Sequence, residues 1–155
     1  MNIAMAIVAS LALGVPAATL TGDKAEVISA HDVQAQLAQL APQAKASGSS
    51  GSTLASYGNL ALKLSLRTST GGAEIHAHYD DLMIVQQGSA TLITGGTVVD
   101  AHLESDGETK GASVQGGKAQ TIAVGDVVVV PAGVPHQLVI APGTLYSALV
   151  AKVKE

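Results

Sequence analysis

Two imidazoles and a carboxylate fall within one short stretch, His76-Ala77-His78-Tyr79-Asp80-Asp81. A third imidazole, His136, closes the segment Gly125-Asp126-Val127-Val128-Val129-Val130-Pro131-Ala132-Gly133-Val134-Pro135. Imidazole and carboxylate are the donors that suit divalent first-row transition metals. Three histidines and one carboxylate suffice for one such ion if the chain folds them onto one point. His-x-His by itself is weak evidence, because paired strand histidines are commonly exposed or structural. The combination with His136 carries the weight.

The elements around these residues are strands. Side chains on a strand alternate, so His76 and His78 on a strand from Glu74 to His78 would share a face. The turn residues Tyr79-Asp80 break that period, and Asp81 begins a strand to Gln87 with Met83 and Val85 on its own face. A tight turn would make the two strands antiparallel and set Asp81 opposite the histidines. Leu60, Leu62, Leu64 and Leu66 alternate with Ala61, Lys63, Ser65 and Arg67, the clearest strand signature in the chain. Further strands are expected at Ala25–Ile28, Ala90–Ile93, Thr121–Val124, Asp126–Val130, Gln137–Ala141 and Leu145–Val153. A polar, Gly-rich excursion covers Asp100–Lys118. Ser29 can cap a helix from Ala30 to Leu40, with Val33, Leu37 and Leu40 at helical spacing and Pro42 ending or loosening it. Residues 45–53 (KASGSSGST) read as a mobile connector. Many short strands divided by turns indicate a sandwich or barrel.

Composition narrows the function. The 155 residues are 47% hydrophobic and 13% charged, which excludes disorder by composition. The core must be aliphatic, because Phe and Trp are absent and the aromatics are Tyr57, Tyr79 and Tyr146. A net charge of −4 without a basic cluster, and so few rings to stack bases, argue against nucleic acid as a partner. The lack of cysteine excludes disulfides and thiolate metal sites. Ile3 to Leu13 is apolar apart from Ser10, with the small-residue segment Gly14-Val15-Pro16-Ala17-Ala18 behind it. That matches the apolar region of a signal peptide and is too short to span a bilayer, although no Lys or Arg precedes it. The expectation is a signal peptide at 1–17, an appendage and Gly/Ser linker at 18–53 and a barrel domain at 54–155. Export to the periplasm or medium follows, with no stable membrane span after processing. The alternative is an uncleaved, cytoplasmic chain whose N-terminal segment packs on the domain.

The sequence resembles the cupin superfamily, in its small single-domain, conserved-barrel form. The first cupin motif is matched by Gly71 or Gly72, His76-Ala77-His78, Asp81, and Gly88 six residues further on. The second is matched by Gly125, Pro131-Ala132-Gly133 and His136. Asp81 stands where the family usually has Glu, with a gap from His78 one residue shorter than common. Ile140 stands where the family has Asn, and the stretch between the motifs is longer than the family minimum. The resemblance covers about Tyr57 to Val153. It implies an all-β fold, an antiparallel jelly-roll barrel, here with a short N-terminal helix. It also implies one divalent transition metal per chain (Fe, Mn, Ni, Cu or Zn), held by His76, His78, Asp81 and His136, with Asp80 as the fallback carboxylate. A homodimer and a small-molecule ligand or substrate are implied as well.

Other candidates are weaker. Arg67 can point inward and pair with a substrate carboxylate, or be a solvated strand-end charge. Tyr79 can reach the pocket mouth or serve in packing. Glu74 shares the period of His76 and His78 and is expected at the barrel mouth or in a salt bridge, while His31 and His102 are expected in solvent. No nucleophile elbow, P-loop or dinucleotide fingerprint occurs. The leading expectation is a metal-dependent enzyme acting on a small organic molecule by oxygenation, isomerisation or lyase chemistry. The alternative is a non-catalytic cupin that binds a metal or small ligand for sensing or storage.

Overall fold

A computed structural model of the chain describes Ala18, Thr19 and residues 24–155. The expected signal peptide at 1–17 lies outside the described residues. In chain order the elements are β1 (Ala18–Thr19), α1 (Ala30–Ser47), β2 (Ser49–Tyr57), β3 (Leu60–Arg67), β4 (Ala73–Ile75), β5 (Tyr79–Gln87), β6 (Ser89–Thr94), β7 (Thr97–Val99), β8 (His102–Leu103), β9 (Thr109–Gly111), β10 (Ser113–Gln115), β11 (Lys118–Ala123), β12 (Val127–Val130), β13 (His136–Val139) and β14 (Tyr146–Lys154). One sheet runs β1-β2-β3-β14-β5-β12, the other β11-β6-β13-β4-β9-β8, and β7 pairs with β10. All described pairings are antiparallel except β1 with β2. Met83, Val85, Ala148 and Val150 of the first sheet share a core with Ala90, Leu92 and Ile122 of the second. The two sheets therefore face each other, as in a jelly-roll barrel.

β3 and β14 are covered on both faces. Their register pairs Tyr146 with Arg67, Ala148 with Ser65 and Val150 with Lys63, and these side chains line the barrel interior. The opposite face carries Leu62, Leu64, Leu66 and Leu149, and α1 lies on it through Val33, Leu37 and Ala44. The leucine alternation thus marks the face under the helix, while the polar residues between the leucines face the cavity.

Three local expectations are corrected. The helix runs through Pro42 to Ser47. Pro42 removes one helical hydrogen bond, but the last turn is held by tertiary contacts. Ala44 is fully buried, and its carbonyl accepts from the Gly48 N–H (2.8 Å) and from the Thr68 hydroxyl (2.7 Å). Residues 45–53 are not a connector. They form the end of α1, its left-handed cap Gly48 (φ 88°) and half of β2. Small residues let the helix approach the strand, and their hydroxyls are used: Ser50 donates to the Leu40 carbonyl (3.0 Å) and Ser52 to the Gln36 side chain (3.2 Å). Residues 25–28 form no strand and lead as irregular chain into the Ser29 capping box, in which the Ser29 hydroxyl accepts from the Asp32 N–H at 3.1 Å.

Candidate metal centre

β4 ends at Ile75, so the expected strand from Glu74 to His78 is cut short. Both edges of β4 are occupied, by β13 and β9, and β4 makes no hairpin with β5. Residues 76–78 instead carry the chain from one sheet to the other. Two-residue alternation fails there: His76 is half-buried, whereas His78 is exposed on a bend beside Gly107.

A different set of side chains converges. Glu74 lies directly opposite His136 in the β4–β13 ladder, so both point to the same side. His76 follows two residues after Glu74 and turns the same way. One donor atom from each of Glu74, His76 and His136 lies within 4.8 Å of the others. Asp81 reaches the group from the opposing sheet, its Oδ2 3.2 Å from His76 Nε2, while Glu74 Oε2 is 3.7 Å from the same nitrogen.

The second motif positions both histidines. The Gly133 N–H, in a turn with φ 77°, donates to the His76 carbonyl at 2.8 Å, and the Gly95 N–H donates to the Pro135 carbonyl at 2.8 Å. Asp80 also serves this turn: its Oδ1 accepts the Ala132 N–H at 2.8 Å.

The hydrogen-bond partners fix the tautomers. His136 Nδ1 lies 3.1 Å from the Val134 carbonyl oxygen. A carbonyl can only accept, so Nδ1 carries the proton and Nε2 the lone pair. His76 Nδ1 is bonded to Glu108, which likewise puts a proton on Nδ1. His76 Nε2 faces the Glu74 and Asp81 carboxylates, an arrangement satisfied by a proton on Nε2, which makes the ring an imidazolium, or by a bound cation in that proton's place. Burial lowers the His76 pKa, but hydrogen bonds to Asp81 and Glu108 outweigh it and the pKa is raised. His136 is lowered, by burial first, against the partial support of the Val134 carbonyl. Asp81 is lowered: burial raises it, but the bonds from His76 and Lys152 prevail. Lys152 Nζ is 2.8 Å from Asp81 Oδ1, across the β14–β5 pair, and 5.6 Å from the centre of the Tyr79 ring.

Of the four ligands implied by the cupin motifs, His76, Asp81 and His136 come together and His78 stays outside. Glu74 joins them, as its period with His76 could have indicated. Lys152 and Glu108 were not read as site residues. Lys152 continues the inward face of Tyr146, Ala148 and Val150, a signal that was available; Glu108 lies in the polar excursion, where no spacing marks it. His31 and His102 are exposed as expected, beside Asp32 (3.5 Å) and Glu104 (3.2 Å).

Behind the cluster lies a cavity of about 260 Å³. Its walls carry Ser65, Arg67, Met83, Leu138, Tyr146 and Ala148, and the small side chains leave the space. That volume lies just below the range of drug-sized ligand sites and suits a small molecule.

No family model matches the sequence, and no curated protein matches it. Solved structures do share its fold. BH2720 from Bacillus halodurans is 14% identical with a TM-score of 0.58, over 87% of this chain and 85% of that one. The DMSP lyase DddQ from Ruegeria pomeroyi is 15% identical with a TM-score of 0.51, over 69% of this chain and 47% of that one. The chain thus spans about half the length of that lyase. The polyketide cyclase RemF from Streptomyces resistomycificus is 17% identical with a TM-score of 0.51, over 70% of this chain and 67% of that one. At such identities the likeness is one of fold.

Proposed function

We infer that this chain, whose barrel is a cupin fold, binds one divalent transition metal (Fe, Mn, Ni, Cu or Zn) and acts as a metal-dependent enzyme on a small organic molecule. The observation that carries this reading is the convergence of donor atoms from Glu74, His76 and His136 within 4.8 Å of one another, with the Asp81 carboxylate beside His76. Glu74, His76 and His136 are the proposed ligands, with Asp81 next to them and held back by Lys152. The donor set fits: two imidazoles whose Nδ1 is engaged elsewhere and a carboxylate are what a borderline divalent ion takes, the ion displacing the proton from His76 Nε2 as it binds. Glu108 on His76 Nδ1 is the outer partner that raises ligand basicity. A metal bound there would supply Lewis-acid polarisation of a substrate oxygen.

Metal analysis of the purified protein tests the site. Near-stoichiometric metal is expected in the wild type and in His78→Ala, and at least tenfold less in Glu74→Ala, His76→Ala and His136→Ala. Loss in His78→Ala with retention in Glu74→Ala would restore the His-x-His ligand set. Assays over a panel of small acids, esters and diketones then test catalysis by oxygenation, isomerisation or elimination. One observation favours a non-catalytic alternative, a metal or ligand binder for sensing or storage: the Lys152 ammonium beside the cluster is already paired with Asp81. Stoichiometric metal without turnover would support it.

Export belongs to the same reading and rests on the apolar segment Ile3–Leu13; an intact Met1 on the protein from its native host would overturn it. So does a homodimer. Its support is the edge strand β12, where Val127 and Val129 are 62% and 61% exposed. Light scattering should report twice the chain mass, and Val127→Lys/Val129→Lys should return it to one.

A further inference from the structure

At the end of the cavity away from Lys152, two side chains carry buried polar atoms without partners. Arg67 and Tyr146 are a direct cross-strand pair and both line the cavity. Arg67 Nε and the Tyr146 hydroxyl are buried without a hydrogen-bond partner, and among the described residues Arg67 has no carboxylate partner. Tyr146 is 0% exposed. Arg67 itself is half-buried, but a guanidinium nitrogen and a hydroxyl buried without partners are costly unless something binds them. The guanidinium has backbone on one side. It lies against Gly71, where an added Cβ would come 2.3 Å from Arg67 Nη1. Gly71 in turn donates its N–H to the Leu138 carbonyl (3.3 Å) and accepts from the Gln137 side chain (2.9 Å). Leu138, two residues along β13 from His136, lines the same cavity as Arg67 and His136.

We propose that Arg67 and Tyr146 form an anion-binding end of the cavity, and that the ligand is a short carboxylic acid whose carboxylate is held there. A guanidinium binds the two oxygens of a planar carboxylate in parallel, and the tyrosine hydroxyl donates a third hydrogen bond. Burial pushes the Tyr146 pKa up to about 12, so the hydroxyl keeps its proton as a donor. The far end of the acid, carrying a hydroxyl, keto or second carboxylate oxygen, then reaches the Glu74–His76–His136 cluster. This last assignment rests on the metal reading above, whereas the carboxylate clamp does not.

The test is titration calorimetry on protein stripped of metal with EDTA. Probes are lactate, pyruvate, malonate and succinate, with lactamide as a neutral control and inorganic phosphate as a competing anion. The expected result is saturable binding of at least one acid and none of lactamide. Arg67→Gln should weaken binding at least tenfold and Tyr146→Phe severalfold. Gly71→Ala keeps the charge but displaces the guanidinium, and should abolish binding while the protein stays folded by circular dichroism; it decides the matter if Arg67→Gln fails to fold. His102→Ala, an exposed imidazole outside the cavity, should leave carboxylate binding by the stripped protein within about threefold. Binding unchanged in Gly71→Ala, absence of binding by every acid, or preference for phosphate over all of them would overturn the proposal. Absence of bound metal from the unstripped wild type, with carboxylate binding intact, would count against the metal reading and not against this one.

Discussion

Glu108 holds His76 from the side opposite the cluster, and it comes from a polar segment 32 residues away in sequence. Its removal should therefore act through the imidazole. Glu108→Gln is expected to lower metal affinity by about 10- to 100-fold without abolishing it, as read by competition with a chelating dye; unchanged affinity would show that Glu108 does not set the basicity of His76. Asp81 makes a separate prediction for metal-free protein. Its pKa in the fold lies below the ordinary 3.8. A lowered carboxylate contributes stability in full above the unfolded value, and that contribution is lost as pH falls through the folded value. Asp81→Asn leaves the Lys152 ammonium largely buried without its partner and should cost about 3 kcal/mol at pH 7. Urea titrations at pH 7 and pH 3 should show the gap between wild type and variant narrowing in acid, and a constant gap would remove Asp81 as its cause. The convergence of His76 and His136 was legible because glycines and prolines fix the turn that joins them. Glu108 was not, since a contact across a long excursion leaves no local pattern, and His78 departs from the expected shared face because β4 ends before it.

At the scale of elements, period-two patterns were reliable where a strand is packed on both faces. β3 shows this best, with leucines under α1 and Lys63, Ser65 and Arg67 along the cavity. The Gly/Ser stretch misled because composition cannot distinguish a solvated linker from a strand kept small to fit beneath a helix. Gly51 makes the point: a Cβ there would lie 2.8 Å from the Leu64 carbonyl oxygen. If α1 is an integral cover of β3 and not an appendage, its contacts must contribute to global stability. Leu37 is 2% exposed in the interface between them. Leu37→Ala should lower unfolding free energy by about 2–4 kcal/mol in a single transition, with metal content unchanged because the helix lies on the outer face. A separate early transition for the helix, with the barrel midpoint unmoved, would make α1 the detachable appendage that composition suggested.

For the molecule as a whole, the cluster sits where the two sheets meet. Glu74 and His136 belong to one sheet and Asp81 and Lys152 to the other, while His76 lies on the crossing between them. The sheets otherwise hold together through aliphatic side chains around a cavity. A metal bound by the folded state alone should then stabilise the entire barrel. At a free concentration 100 times Kd the gain is about 2.7 kcal/mol, which for a chain of this size raises Tm by roughly 5–10 °C. Calorimetric scans of the stripped protein with increasing Zn, Mn or Ni should show one transition moving upward with concentration. In His136→Ala the same additions should leave Tm within about 1 °C, well inside the shift expected for the wild type. An equal rise in both proteins would place the binding elsewhere on the surface. No rise in either, with aliphatic packing left as the link between the sheets, would leave the His76 Nε2 proton as the cation that the two carboxylates surround.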